Sequence, residues 1–550
     1  MIVPVRFISI FVVFCLFISC ILCYEGNYEY LLSFLFSNIA VFLILLPIFC
    51  KNKILSMVLV TLYGFALGCQ LASVFNTGKL LEVLTLANIT EVSSVSKEVV
   101  YSSLGIIFVF VLAVWVMRGN KSVKLSKFVY LLAVPVLIFY VFCDKTRPMT
   151  SFVKTFEQYA EQLYFKPQKQ KMEQQMQLYG KDWIYQNTNE KDIPDLRGKN
   201  VVALFTEGLS LNMIDKFNDY AGLTPNMSYF MDIGLWFDNY YNHTAATYRG
   251  LRGQLGSSYQ YAGGEKLGFD LNADDMEKLS KSAIVFLPEI LLENSYHSYF
   301  ICAHKRSYGL VKYLEQMGFD KVFSAGDFIA DDRDLTDGEI FYYLADLIKS
   351  KRLEEPYFIG FYNVGTHMGY STRYTVYENP VGANHMELNN LHEYDRRFGE
   401  FMKKIEKDDT LKNKMAVILT TDHAFPPTAD KLAIFHEFRN HFMDRVPFVI
   451  WYEGVKPTRM DVNGKNSLDF APTLLNWLRI DKAHNYFLGC SLYDEACPYN
   501  FEYIHNEGNL FFSTNPYKQL QQSNAEDSEI IKKIRDFYNL SEYRIFEWNL

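Results

Sequence analysis

The sequence has no heptad array and no internal repeat of roughly 20–50 residues, which excludes a coiled coil, a solenoid or a propeller. Long polar stretches are scarce, so little of the chain is expected to be disordered. Positive charge is not in surplus: 54 Lys and Arg face 62 Asp and Glu, a net charge of −8 over 550 residues. Charge of either sign is thin in the first 150 residues, which hold eleven basic and six acidic side chains, or +5. The remaining 400 residues therefore carry −13. An acidic C-terminal part argues against nucleic acid as a partner.

What the first 150 residues do have is apolar runs, at about 4–24, 30–50, 55–75, 99–117 and 127–143. Each meets the ~20 residues that a helix needs to cross a ~30 Å hydrocarbon core. The first run alone suits a signal peptide, but four more follow it, so a five-span membrane domain over 1–150 is expected. Arg6, Lys51, Lys53, Arg118, Lys121, Lys124 and Lys127 flank alternate ends of the runs. The opposite loops hold Glu25 and Glu29, then Glu82, Glu91 and Glu98 against Lys79 and Lys97. The positive-inside rule then puts the N-terminus in the cytoplasm, and five crossings put everything after Asp144 outside.

Residues 151–198 read as a juxtamembrane linker. Its first part, to 186, mixes Phe, Tyr, Leu and Trp with Lys and Gln, which suits an amphipathic helix on the outer leaflet or a solvated one. The run Ile193–Gly198 reads as a boundary. Over 199–495 short apolar runs alternate with helical stretches. The runs are 201–205 (VVALF), 357–364 (YFIGFYNV), 415–421 (MAVILTT) and 446–452 (VPFVIWY). Helical patterns lie at 337–351 and 389–408. This alternation predicts an α/β domain with a mostly parallel central sheet. Residues 496–550 read as a C-terminal extension.

Ligands of such sheets bind at the carboxyl ends of the strands. Three ends carry chemistry: Thr206-Glu207-Gly208, Gly365-Thr366-His367 and Asp422-His423. Carboxylate oxygen with imidazole nitrogen suits a divalent metal such as Zn²⁺ or Mn²⁺. Any one of these alone is weak, since a lone Asp-His pair is usually a cap or a surface pair. Three at equivalent strand ends are not.

The ordered set of segments resembles the alkaline phosphatase/sulfatase superfamily, in its membrane-anchored transferase branch. That branch contains lipoteichoic acid synthases, phosphoglycerol transferases and phosphoethanolamine transferases. The matching segments are 200–210 (NVVALFTEGLS), 224–242 (TPNMSYFMDIGLWFDNYYN), 244–257 (TAATYRGLRGQLGS), 362–370 (YNVGTHMGY), 419–424 (LTTDHA), 467–480 (SLDFAPTLLNWLRI) and 487–492 (FLGCSL). The sulfatase pattern C/S-x-P-x-R is missing, and Cys302, Cys490 and Cys497 lie elsewhere. The transferase branch uses Thr instead. Thr247 stands at the matching distance before Leu255-Gly256-Ser257, with Thr244 as the alternative. A metal lowers the alcohol's pKa and the alkoxide attacks phosphorus, so a phospho-enzyme splits one transfer into two. Thr247 as a plain helix N-cap fits the same spacing.

The resemblance implies that Glu207, Thr247, Asp422 and His423 hold the metal. It implies that His367, with His436 or His441, meets the phosphoryl oxygens and the leaving group. Arg249 and Arg252 are phosphate-clamp candidates, because a guanidinium fork fits phosphate oxygens. The phosphoethanolamine subgroup has D-H-G-E-S where this chain has D-H-A-F-P, which leaves the second histidine and a second metal open. The expected partners are a phospholipid donor and an envelope glycan or lipopolysaccharide acceptor. The expected place is a bacterial inner membrane, multi-pass, with the catalytic domain periplasmic. A sulfuric- or phosphoric-ester hydrolase is the alternative, and a non-catalytic scaffold sits badly with the intact residue set.

Six of the nine cysteines lie in or beside the apolar runs, where disulfides are disfavoured. On the oxidising side, Cys490 and Cys497 close a short loop and are the candidate bridge, leaving Cys302 over. Few disulfides pull the resemblance toward the phosphoglycerol or lipopolysaccharide-core type.

Overall fold

The computed structural model describes residues 180–259, 284–367, 385–426 and 443–494, except 187, 189–192 and 245, together with shorter stretches and single positions elsewhere. The chain divides into two compact units, Met1–Phe165 with Pro426–Asn440, and Lys166–Phe425 with His441–Leu550.

The second unit is built on an eight-stranded sheet. Its strands are β1 (Asn200–Thr206), β2 (Leu235–Asp238), β3 (His297–Cys302), β4 (Lys321–Phe323), β5 (Tyr357–Tyr362), β6 (Met415–Thr421), β7 (Val449–Tyr452) and β8 (Thr458–Asp461). The helices are α1 (Pro225–Ile233), α2 (Thr247–Gly256), α3 (Leu287–Glu293), α4 (Gly309–Glu315), α5 (Asp337–Lys349), α6 (Met386–Glu406), α7 (Asp409–Lys414) and α8 (Phe470–Trp477). The spatial order is β8-β2-β7-β6-β1-β5-β3-β4. Within this sheet β7 alone runs against its neighbours β2 and β6. The other pairings are parallel, so the expected mostly parallel sheet is present.

The centre of the sheet explains the apolar runs. Every residue of β1, β5 and β6 is buried, because helices cover both faces. Neighbouring residues of a strand point to opposite faces. On one face Phe205 meets Phe470 of α8 edge-on, with ring centroids 5.1 Å apart. On the other, Phe361 meets Phe341 of α5 at 4.7 Å. α2 packs on α8 and α3, and α6 on α5 and α1.

The fourth strand expected from the sequence, 446–452, is shorter, at Val449–Tyr452, and its antiparallel direction was not expected. The domain also begins before residue 199. Lys181 and Asn485 exchange two backbone hydrogen bonds of 3.0 and 2.8 Å. Ile184, Ile193 and Leu196 belong to the domain's core. The C-terminal part of the linker is thus a strap on the second unit.

In the first unit Ile2–Pro4 pairs antiparallel with Ser122–Lys124. Among the described residues no helix is long and apolar enough to cross a membrane. Four of the five expected spans lie wholly or almost wholly outside the described residues, as does most of the amphipathic stretch 151–186; in the third, 55–75, the described positions 58, 62, 63, 65–70, 73 and 74 are helical. Of residues 496–550, the described ones form a small antiparallel sheet of Tyr503–Asn506, Asn509–Phe512 and Gln521–Gln522.

Candidate active site

The adjacent strands β1 and β6 end side by side, with Thr206 in register with Thr421. The next residues, Glu207 and Asp422, therefore leave the sheet next to each other. Gly208 makes the turn after Glu207 with φ of +58°, a region where a side chain is strained. Its N–H donates to Asp422 Oδ1 at 2.9 Å. The His423 N–H donates to the same oxygen at 2.7 Å.

Thr247 enters as the first residue of α2. Ala246 before it has φ of +70° and ψ of 152°, a conformation unusual for alanine that aims the helix start at the strand ends. The helix comes close because it lacks side chains where it touches. A Cβ on Gly250 would lie 2.1 Å from the Asp422 carbonyl oxygen. Gln254 Nε2, one turn on, donates to the carbonyls of Thr421 and Asp422 at 2.9 and 3.2 Å. Glycine in a helix costs about 1 kcal/mol relative to alanine, and here it permits the contact that seats the Thr.

The result is a compact cluster. Thr247 Oγ1 donates to Glu207 Oε2 at 3.2 Å and lies 3.4 Å from His423 Nε2. His423 Nε2 lies 3.2 Å from Asp422 Oδ2 and 3.6 Å from Glu207 Oε1. Glu207, Asp422 and His423 are all buried, and their ligand atoms fall within 4.8 Å of one another.

The donor set fits a divalent cation on two counts. Asp422 Oδ2 is buried and accepts no hydrogen bond. Such an atom is costly unless something else satisfies it. His423 Nδ1 lies 2.7 Å from the Ala424 carbonyl, which can only accept, so Nδ1 carries the proton. The lone pair of Nε2 then faces the two carboxylates, the usual arrangement of a metal-binding imidazole. Electrostatics agree. Burial, then the Glu207 charge, pushes the Asp422 carboxyl well above its ordinary pKa. Burial also acts to raise Glu207, but His423, His367 and the Tyr362 hydroxyl outweigh it and hold that carboxyl low.

The sequence-derived candidates separate in this geometry. Glu207, Thr247, Asp422 and His423 come together. His367 is half-buried after β5, close enough to act electrostatically on Glu207. Thr244 is fully buried with its hydroxyl making no hydrogen bond to the cluster, and its carbonyl accepts from Asn242 Nδ2 at 2.7 Å. Arg249 is fully buried and acts on His243, which packs against Gly253 of α2. Arg252 lies over the Phe286 ring, 5.9 Å from its centroid. Neither arginine joins the cluster. His436, His441 and Cys497 lie outside the described residues. Cys490 is disulfide-bonded and Cys302 is a free, buried thiol.

Three residues near the site, Tyr362, Asn363 and His304, were not singled out from the sequence, whereas Thr366 stood in one of its strand ends. Tyr362, Asn363 and Thr366 all bind Glu207. His304 is buried just after β3, with Nδ1 3.1 Å from Asp334 Oδ2 and its ring 5.8 Å from that of Tyr362. The strand-end rule would have found His304 had β3 been recognised as a strand.

The segments of the family resemblance have structural reasons too. Asn226, after Thr224-Pro225, donates through N and Nδ2 to Asp395 of α6 at 3.1 and 2.7 Å, and this pins α1. Ser257 donates to the Leu468 carbonyl at 2.7 Å and accepts from Gly489 N at 2.9 Å. Ser491 Oγ donates to Asn476 Oδ1 at 2.7 Å. The segments 255–257, 467–480 and 487–492 therefore lock the rear of the Thr247 helix.

Comparison with known proteins agrees with this architecture. Among curated proteins, none matches the chain in sequence. A protein of the alkaline phosphatase superfamily from Vibrio parahaemolyticus shares the fold, with a TM-score of 0.51 and 17% identity over 70% of this chain and 97% of its own. The lipoteichoic acid synthase LtaP from Listeria monocytogenes does so with a TM-score of 0.50 and 15% identity, over 66% of this chain and 94% of its own. The model of the family described as Sulfatase matches residues 199–480, the span that holds Glu207, Thr247, Asp422 and His423, and the chain belongs to that family.

Proposed function

We propose that the protein is a metal-dependent, extracytoplasmic transferase. It moves a phospholipid-derived head group, phosphoethanolamine or phosphoglycerol, onto a cell-envelope glycan or lipopolysaccharide. The observation that carries the reading is the place of Thr247: its hydroxyl, at the first residue of a helix, touches Glu207 and His423. A threonine nucleophile suits a transferase, because the sulfatase pattern that matures to formylglycine is missing. A divalent cation held by Glu207, Asp422, His423 and Thr247, Zn²⁺ or Mn²⁺, would lower the pKa of the threonine hydroxyl and offset the phosphoryl charge.

The chain's own groups do the rest in two steps. In the first, Thr247 Oγ1 loses its proton and bonds to the phosphorus of the lipid donor. The bond from phosphorus to the diacylglycerol oxygen breaks, and diacylglycerol leaves with a proton. In the second, an acceptor hydroxyl loses its proton and bonds to phosphorus, while Thr247 departs and is reprotonated. The N-terminal end of α2, whose first residue is Thr247, would favour the phosphoryl charge. His367, which acts electrostatically on Glu207, would pass protons to and from the leaving and attacking oxygens.

The apolar first 150 residues and the asymmetry of their Lys and Arg support a membrane anchor with the catalytic unit outside, next to its lipid donor. A reporter fused after Asp144 is expected to be active only outside the cytoplasm. Activity in the cytoplasm would defeat the topology.

The chemical test is to trap the intermediate. The full-length protein is incubated with phosphatidylglycerol or phosphatidylethanolamine vesicles and no acceptor. Peptide mass mapping is expected to find one residue, Thr247, carrying about 154 Da or about 123 Da, as a two-step transfer requires. Thr247→Ala is expected to lose turnover entirely with its melting temperature near the wild-type value. A helix cap alone would cost about 1 kcal/mol of stability and leave activity. Full turnover by Thr247→Ala would end the covalent mechanism, and release of free head-group phosphate to water would make the protein a hydrolase.

A further inference from the structure

Glu207 is gripped on every polar group by one short segment. Its N–H donates to Asn363 Oδ1 at 3.0 Å. Its carbonyl accepts from Thr366 Oγ1 at 2.7 Å. Its carboxylate accepts, at Oε2, a short hydrogen bond from the Tyr362 hydroxyl. The segment is itself anchored. Asn363 Nδ2 donates to Asp337 Oδ1 at 3.1 Å, and the Gly365 N–H donates to the same oxygen at 3.2 Å.

The two oxygens of Glu207 are thereby made unequal. Oε2 takes both the Tyr362 and the Thr247 hydroxyls. Oε1 is the oxygen nearest His423 Nε2, at 3.6 Å, on the side where Asp422 Oδ2 is left without a donor. The Tyr362 hydroxyl also lies 3.5 Å from Thr247 Oγ1. A fully buried phenol at the end of β5 thus spans the carboxylate and the nucleophile.

We propose that Tyr362 is a positioning residue: its hydroxyl occupies Oε2 of Glu207, so that Oε1 alone is presented to the cation and the Thr247 hydroxyl is held in line beside it. Without that hydroxyl the carboxylate can rotate or offer both oxygens, and the Thr loses one wall of its socket. Groups that orient a metal ligand in this way are worth roughly 10–100-fold in metal affinity or activity when removed. The role in turnover rests on the transferase reading above, whereas the role in cation binding does not.

The test uses the full-length, metal-stripped protein and Mn²⁺ or Zn²⁺ alone as the probe, followed by the lipid-donor assay. Tyr362→Phe keeps the ring and removes one oxygen. It is expected to raise the dissociation constant of the cation by about 10-fold or more. At saturating cation it is expected to lower kcat with little change in KM for the lipid donor, because the donor is not touched. A merely structural tyrosine would lower the melting temperature and leave cation affinity intact. Unchanged affinity together with unchanged kcat would overturn the proposal. If Tyr362→Phe does not fold, 3-fluorotyrosine at this position retains shape and donor while making the donor more acidic. It is expected to shift the dissociation constant by at least about twofold, and an unmoved constant would overturn the proposal equally. If the wild type binds the cation, and Tyr362→Phe binds it weakly, but no lipid donor is turned over, the transferase reading fails and the positioning role stands.

Discussion

Two buried carboxylates in this domain contrast sharply. Asp395, on α6, has both oxygens filled: Oδ1 accepts from the Met227 N–H at 2.7 Å and Oδ2 from Asn226 N and Nδ2. Asp422, at the end of β6, has Oδ1 filled by two backbone N–H groups and Oδ2 left without a donor. Both are removed from water, and burial raises the pKa of both. What separates them is where the remaining lone pairs point. A saturated carboxylate is a clamp between helices. One with an open oxygen, facing a second carboxylate and an imidazole nitrogen, is a ligand in waiting. Burial or a shifted pKa alone does not tell a site from a strut; hydrogen-bond accounting does.

The strongest way to break the contrast is to neutralise Asp422. Asp422→Asn removes the repulsion with Glu207, so the metal-free protein is expected to melt no lower than the wild type. The wild type is expected to gain about 2.7 kcal/mol of stability from Mn²⁺ at a hundredfold excess over its dissociation constant. Asp422→Asn is expected to lose nearly all of that gain, together with activity. An undiminished thermal shift with Mn²⁺ would show that the open oxygen is not a ligand.

The smaller effect sharpens the other half. Asp395 has its pKa pushed up to about 6 by burial, which outweighs the hydrogen bonds from Met227 and Asn226. A carboxyl with a raised pKa in the folded state contributes stability that is fully present below its unfolded pKa, near 4, and that is lost as pH rises through 6. A shift of this size corresponds to about 3 kcal/mol. Asp395→Asn is expected to flatten the fall in stability between pH 4 and pH 7, measured by urea unfolding, and to keep the full Mn²⁺ shift. A fall as steep as that of the wild type would assign the pH dependence to other groups, Asp469 first, whose pKa burial also raises to about 6.

Much of this was legible beforehand because it is local. The central strands β1, β5 and β6 are buried on both faces, and such strands must read as unbroken apolar runs. The amphipathic helices α5 and α6 repeat at helical spacing, and their observed ends fall within three residues of the expected ones. The outer strands were illegible for the opposite reason. β8 (TRMD) is an edge strand with three of its four residues exposed, so nothing in its composition marks it. β3 (HSYFIC) opens on His and Ser before a short apolar run of four, and with it went His304. The early N-terminal boundary was missed because Ile184, Ile193 and Leu196 acquire partners only once the strap lies along the domain.

The candidate site divides along the same line. Glu207, Asp422 and His423 were found because a parallel sheet delivers the residue after each strand to one edge, a rule that needs only strand ends. Thr247 was found through its spacing in a resemblance. Arg249 and Arg252 show where spacing stops helping, because a helix turns neighbouring residues to different sides and only packing decides which side meets the strands. Tyr362 makes the same point from within a strand, where an apolar run gave no sign that one hydroxyl would be turned toward a carboxylate. By itself the sequence determined the central strands β1, β5 and β6, the residues that stand at their ends, and that the first 150 residues are apolar and poor in charge. Only the tertiary structure decided which oxygen of Asp422 stays open, which of Thr244 and Thr247 meets Glu207, and what holds Glu207 in place. Those outcomes depend on contacts between groups 40 to 214 residues apart in the chain, whose distances no local pattern encodes.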